Sequence, residues 1–418
     1  MTTTQTGASP TPRPEMGFKQ FVALIASIMA VNALAIDAMV PALGFISTDL
    51  GITAENDRQW IITSYLLGFG AAQIFYGTLA DRFGRKLVLQ LGTAAYVVFS
   101  LLAAASTSFE MLLIARVLQG IGAAASRVLV VSIVRDRYAG RQMARVMSLT
   151  LIVFLAVPIL APSIGQVILM FAPWRWIFVG LALFGAAVML WVGLRLPETL
   201  HAEDRVRMTF TDVARAFRTV LTNRVAVGYM LAMTCVLGGL FGFINSAQQV
   251  FVEVFDEPVY FTLIFALIAG FMAISSLLNA RIVSKLGTRK ISHSAMLGYT
   301  AFTGVHLIVT LMGHENLWTF TILQSGMMFC FGMMASNFGS MAMEPLGHVA
   351  GTASSVQGFV TTVGAAILGF FVGQHFDGTV KPLMIGFFVC AVAGLIVVLI
   401  TEKGRLFQPT ASGVASAR

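Results

Sequence analysis

Gly77-Thr78-Leu79-Ala80-Asp81-Arg82-Phe83-Gly84-Arg85-Lys86 separates two long apolar runs, and it reads as a very short charged loop joining two membrane spans. Gly77 permits close approach of helices, and Asp81 is placed to face the positive N-terminal end of another helix. Arg82, Arg85 and Lys86 hold the loop on the cytoplasmic side of a bilayer, while Gly84 punctuates the break.

The chain around this loop is 57% hydrophobic and 11% charged, with a mean hydropathy of +0.84, too few charges to cover a soluble domain of 418 residues. A helical span needs ~20 apolar residues, and such runs recur without the alternation of a barrel strand. The expected fold is an all-α integral membrane protein. Cys235, Cys330 and Cys390 all lie inside apolar runs, where they act as small hydrophobes and suggest neither disulfides nor a metal site.

Spans are expected at 18–43, 59–80, 87–107, 109–134, 142–170, 173–195, 224–251, 258–283, 291–312, 317–342, 351–374 and 381–402, twelve in all. With a cytoplasmic N-terminus, Arg58, Arg175 and Lys381 fall in outer segments and Arg116 and Arg127 within a span. All other members of the 27 Lys and Arg fall inside. That asymmetry orients the protein with both termini cytoplasmic, and Trp60, Trp174, Trp176 and Trp318 sit at outer boundaries as an aromatic belt. The net charge of +8 is therefore a topology signal, and a nucleic-acid partner is not expected.

The longest polar break, 196–223, divides two six-helix bundles, 18–195 and 224–402, with cytoplasmic tails at 1–17 and 403–418. Val213, Ala216, Phe217 and Val220 recur at helical spacing against Asp212, Arg215 and Arg218, so the linker is expected to hold an amphipathic surface helix. The stretch 280–290 echoes the opening loop, with Ser284 in place of the acid. Such parallel repeats suit a rocking transporter with substrate between them.

An ionisable group inside a bilayer costs about 2.5 to 3.5 kcal/mol on insertion scales, which singles out Asp37, Arg116 and Arg127. Asp37 and Arg116 share a depth in the first and fourth spans, so they can pair as a protonation switch or as a permanent structural ion pair. Arg116 and Arg127 fall on one helix face with Gln119, Gly120 and Ala123. That face lines water or substrate, unless Arg127 snorkels to the cytoplasm. Asn245, Gln248 and Gln249 form a polar stripe in the seventh span, facing either the central cavity or a neighbouring helix. Pro158, Pro162 and Gly165 make the fifth span a kinked helix open to close contact.

The loop pattern G-x-L-A-D-R-x-G-R-K resembles the signature of the major facilitator superfamily. Arg116-Val-Leu-Gln119-Gly120-Ile-Gly122 resembles the fourth-span motif of its drug:proton antiporters, and Pro162 and Gly165 match part of their fifth-span motif, from which Ala161 and Gln166 depart. Asp37-Ala-Met-Val-Pro41, Trp174-Arg-Trp, Leu277-Leu-Asn279-Ala-Arg281 and Met343-Glu344-Pro345-Leu-Gly347-His348 narrow the likeness to Bcr/CflA-type drug-resistance transporters. The resemblance implies a monomeric multi-pass protein of a bacterial inner membrane. It would export drugs or amphipathic small molecules against protons, powered by the proton gradient and without a cofactor. It also implies that Arg116 takes part in proton coupling, that Arg85 reaches Asp136, and that the start of the eleventh span faces the Asp81 loop. Glu344 is either a cytoplasmic gate residue or part of a simple loop. The competing function is a dedicated exporter of an endogenous metabolite, an anionic one included, with Arg116 and Arg127 binding it. No H-E-x-x-H, nucleophile elbow or Walker loop supports an enzyme or an ATP-driven pump.

Overall fold

A computed structural model describes residues 16–138, 140–200, 203 and 210–408. Expectations about the two tails and residues 204–209 lie largely outside these residues, as does the side chain of His348. Helices α1 (Phe18–Asp37), α2 (Leu43–Asp49), α3 (Trp60–Phe83), α4 (Arg85–Ala104), α5 (Phe109–Arg137), α6 (Gly140–Phe171) and α7 (Arg175–Arg195) form the first half of the chain. After α8 (Phe210–Thr222) in the linker come α9 (Arg224–Gln249), α10 (Phe261–Leu286), α11 (Thr288–Leu311), α12 (Leu317–Met343), α13 (Ala350–Gln374) and α14 (Lys381–Thr401). Only helices or closed barrels satisfy every backbone group in hydrocarbon, and the described residues form helices joined by turns and loops, with no strand among them.

Among the described residues, eleven helical segments are long and apolar enough to cross a membrane. Helix α3, 24 residues long, is absent from that set. It carries Thr63, Ser64 and Gln73, all buried, because α5 and α13 cover it on either side.

Helices α1 to α7 pack on one another, as do α9 to α14, and two seams, α3 on α13 and α6 on α10, join the halves. The α3–α5 contact depends on missing side chains: a methyl group on Gly68 would lie 2.1 Å from the Val117 carbonyl, and one on Gly120 would lie 2.2 Å from that of Tyr65. Small residues take this role because lipid gives helices no hydrophobic reason to associate, so close backbone packing must.

Two expectations change. The first span is not one helix over 18–43, because α1 stops at Asp37, a 3-10 turn spans Val40–Ala42, and α2 continues to Asp49. Pro41 is the cause, since its ring clashes with the carbonyl four residues earlier, that of Asp37. The opening loop also shrinks to one residue: Gly84, with φ of 101°, alone separates α3 from α4. Gly287, with φ of 84°, does the same between α10 and α11. Both turns require a backbone that residues with a Cβ avoid.

Candidate functional site

Three polar regions follow from this architecture: a nest around Arg116, a seam at the end of the bundle remote from residues 18 and 401 (the far end), and ionic clusters at the opposite end (the near end).

Arg116 is wholly buried on α5. Its Nε donates to the Ile61 carbonyl at 2.9 Å, Nη1 to Gln119 Oε1 at 2.7 Å and Nη2 to the Ala35 carbonyl at 3.1 Å. The guanidinium also lies 4.5 Å from the Tyr65 ring centroid, and Gln119 passes the network on by donating to Ser100 Oγ at 2.7 Å. Every acceptor is neutral. The expected Asp37–Arg116 ion pair is therefore not made in this conformation, because carbonyls at the end of α1 and start of α3 already occupy the guanidinium fork. Asp37 is also buried, two residues beyond Ala35, and makes no hydrogen bond or ion pair among the described residues. It ends α1 at the break, where α6 comes close: a methyl on Gly165 would sit 2.1 Å from the Ala38 carbonyl. Helix α6 runs on through Pro158 and Pro162. Arg127, on the same side of α5 as Arg116, is exposed and makes no hydrogen bond or ion pair among the described residues.

At the far end the halves are stitched by amides. Gln59 donates to Gln249 Oε1 at 2.7 Å and to the Gly373 carbonyl at 2.9 Å. Gln249 donates to Asn56 Oδ1 at 2.8 Å, and Asn56 donates to the carbonyls of Gln374 and Phe376, both at 3.0 Å. Arg58 donates to Gln248 Oε1 at 2.9 Å and forms an ion pair with Glu253, which stands on a π-helical turn, Val250–Val254. Asn245 donates to Thr63 Oγ1 at 3.3 Å, and the Trp60 and Phe370 rings meet tilted at 47° with centroids 4.0 Å apart. Asn245, Gln248 and Gln249 thus bridge the halves instead of lining an open central cavity, since the far end is shut and their hydrogen bonds close it. A cavity of about 1120 Å³ borders this seam, lined by Phe45, Arg58, Leu169, Arg175, Gln248 and Glu253 among others, and includes neither Arg116 nor Arg127.

At the near end, Arg85 pairs with Asp81 at 2.6 Å and Asp136 at 3.3 Å, while Glu198 accepts from the Arg85 and Lys86 backbone N–H groups at 2.8 and 3.2 Å. The second half repeats the plan, with Arg289 on Glu344 and Glu402, both at 3.2 Å. Glu344 therefore belongs to an ionic cluster within its own half. Arg82 is exposed, over the Phe83 ring at 5.1 Å. The start of α13 approaches Gly77 through Ser355 Oγ, 3.0 Å from where a Cβ would be. Asp81 is taken by Arg85 and makes no bond to that helix start among the described residues.

Asn56, Arg58, Gln59, Glu253 and Gln374 were not foreseen as a group. Polar residues at span ends look like ordinary interface residues, and the single signal was that Arg58 is one of three basic residues on the outer side.

Comparison with known proteins agrees with this geometry. Residues 25–369 match the family model described as Major Facilitator Superfamily. The chain is 29% identical to the "Bicyclomycin resistance protein homolog" of Haemophilus influenzae, over 90% of this chain and 94% of that protein. It is 27% identical to the "Multidrug resistance protein MdtL" of Escherichia fergusonii, over 88% and 92%. A solved structure, the xylose transporter XylE from E. coli in a partially occluded inward open conformation, superposes with a TM-score of 0.71 at 12% identity, covering 93% of this chain and 99% of that one, which speaks to fold alone.

Proposed function

The chain belongs to the Major Facilitator Superfamily, a transporter rather than an enzyme, and on that premise we propose that it exports drugs or other amphipathic small molecules in exchange for protons by alternating access. The reading places twelve spans, α3 included, in a bacterial inner membrane, with the near end cytoplasmic. Arg82, Arg85, Lys86, Arg135, Arg137, Arg281, Lys285, Arg289 and Lys290 flank the near end, against Arg58, Arg175 and Lys381 at the far end. One copy driven by the proton gradient is sufficient, and no bound cofactor is required.

The observation that carries the reading is Asp37. It is a buried carboxyl without a partner among the described residues, at a proline-made break in α1, two residues from the carbonyl that Arg116 holds. Loading a proton removes its charge. Releasing that proton leaves a buried anion beside a buried cation whose hydrogen bonds all go to neutral acceptors, and the ion pair that would relieve both requires α1 to shift against α5. Proton occupancy is thereby coupled to helix position. The amide seam supports an inward-open form, with the far side sealed and Arg127 accessible.

The test is bicyclomycin accumulation in an efflux-deficient bacterium expressing wild type or Asp37→Asn at equal membrane levels. Wild type is expected to lower accumulation and the variant to lose that effect. Equal export by both would remove Asp37 from the mechanism.

A further inference from the structure

We infer that Arg127 faces solvent-reached space between the halves toward the near end and is the anchor there for a small organic acid, a substrate carrying a carboxylate or similar anion; this rests on the export reading above. Arg127 is eleven residues from Arg116, a rotation of only ~20° about the α5 axis. Gly120, another ~20° round, abuts Tyr65 and Phe69 of α3, and Arg116 reaches Ala35 of α1 and Ile61 of α3. The direction of Arg127 thus falls between those contacts, toward the interior of the bundle. Ala123, Ala124, Val130 and Val134 around it are buried, whereas the outward-facing Ile114 and Ile121 are ~120 to 140° away. Val131, one turn nearer the near end on the same side, is exposed as well, so this stretch of α5 is open to solvent-reached space from Arg127 toward the near end.

The charge in that space has no answer from the described protein. Arg127 makes no ion pair or hydrogen bond among the described residues. The buried carboxyl Asp37 lies ~28 Å from the near end along α1, and Arg127 only ~15 Å along α5, so the two differ in depth by more than side chains span. Arg116 shows how this fold treats a guanidinium it means to keep, with three acceptors and an aromatic ring. Among the described residues Arg127 has none of these. A planar fork with its donors free matches a carboxylate, sulfonate or phosphate in two parallel hydrogen bonds.

The test uses full-length protein in phosphatidylcholine nanodiscs and a matched pair of probes, dansylglycine and its uncharged amide, followed by dansyl fluorescence. Wild type is expected to bind the acid roughly tenfold or more tightly than the amide. Arg127→Lys should keep only part of that preference, since the charge stays but the two-pronged fork is lost, and Arg127→Gln should abolish it while still binding the amide, which shows that the variant is folded. Equal binding of both probes by wild type, or an undiminished preference in Arg127→Gln, would overturn the assignment. So would loss of the preference when phosphatidylglycerol is added to the disc, because a lipid phosphate would then be the occupant. Bicyclomycin accumulation by the same variants separates the two readings. Export by wild type with no acid preference sinks the anion site alone, whereas acid preference without any export sinks the export reading and leaves the site standing.

Discussion

The two ends of the bundle use opposite chemistry. The far end is closed across the halves by neutral amides and carbonyls, and Arg58–Glu253 is the one ion pair that crosses there among the described residues. At the near end Arg85 and Arg289 instead hold acids of their own half, Asp81 and Asp136 in one and Glu344 and Glu402 in the other. Amide hydrogen bonds exchange for water at a net cost of about 1 kcal/mol each, so a seam made of them closes and reopens. A nearly buried guanidinium between carboxylates is costly to strip, so it holds helices in one arrangement. The difference teaches that charge makes each half rigid while amides join the halves reversibly.

Removing a hub is expected to have the largest effect. Arg85→Ala leaves the largely buried Asp136 without its cation, and unfolding followed by heat in detergent should show a loss of roughly 2 to 4 kcal/mol, below the fully buried case because Asp81 is one-third exposed. An unchanged midpoint would break the comparison. A cut in the seam should be milder and of another kind. Gln59→Ala removes three inter-half hydrogen bonds, which should shift the population toward a far-open form by roughly tenfold or more with little loss of stability. Distances between spin labels on the ends of α3 and α13 would report it, and a distribution identical to wild type would count against a reversible seam. The smallest change in stability should come from Asp81→Asn, within about 0.5 kcal/mol, because Arg85 keeps Asp136. Export by that variant should nonetheless fall if Asp81 meets the start of α13 when the near end closes, and normal transport would restrict Asp81 to its pairing with Arg85.

The pseudo-repeat shows how far the sequence could be followed. The stretch 280–290 was readable as an echo of the opening loop, and Gly84 and Gly287 in the two stretches take positive φ in matching one-residue turns. The replacement of Asp81 by Ser284 was visible as well, yet the hub around Arg289 was not. Its acids, Glu344 and Glu402, come from the ends of helices far along the chain, and nothing in their spacing joins them. Asn245, Gln248 and Gln249 were legible as a polar stripe on one face, but whether that face met water or Asn56, Arg58, Gln59 and Thr63 depended on how far the halves had closed.

What the sequence determined by itself was the environment of each segment: apolar runs, basic flanks, the Pro41 that ends α1 and the glycines that turn the chain. These are local quantities, because the transfer of a stretch into hydrocarbon and the allowed φ of a residue depend on that stretch alone. Only the tertiary structure decided the partners. Arg116 took the carbonyls of Ala35 and Ile61 in place of Asp37, and Arg127 was left accessible three turns away on the same helix face. Those choices depend on how helices rotate and which end of the bundle is shut, and contacts between residues distant in the chain, rather than any local preference, determine both.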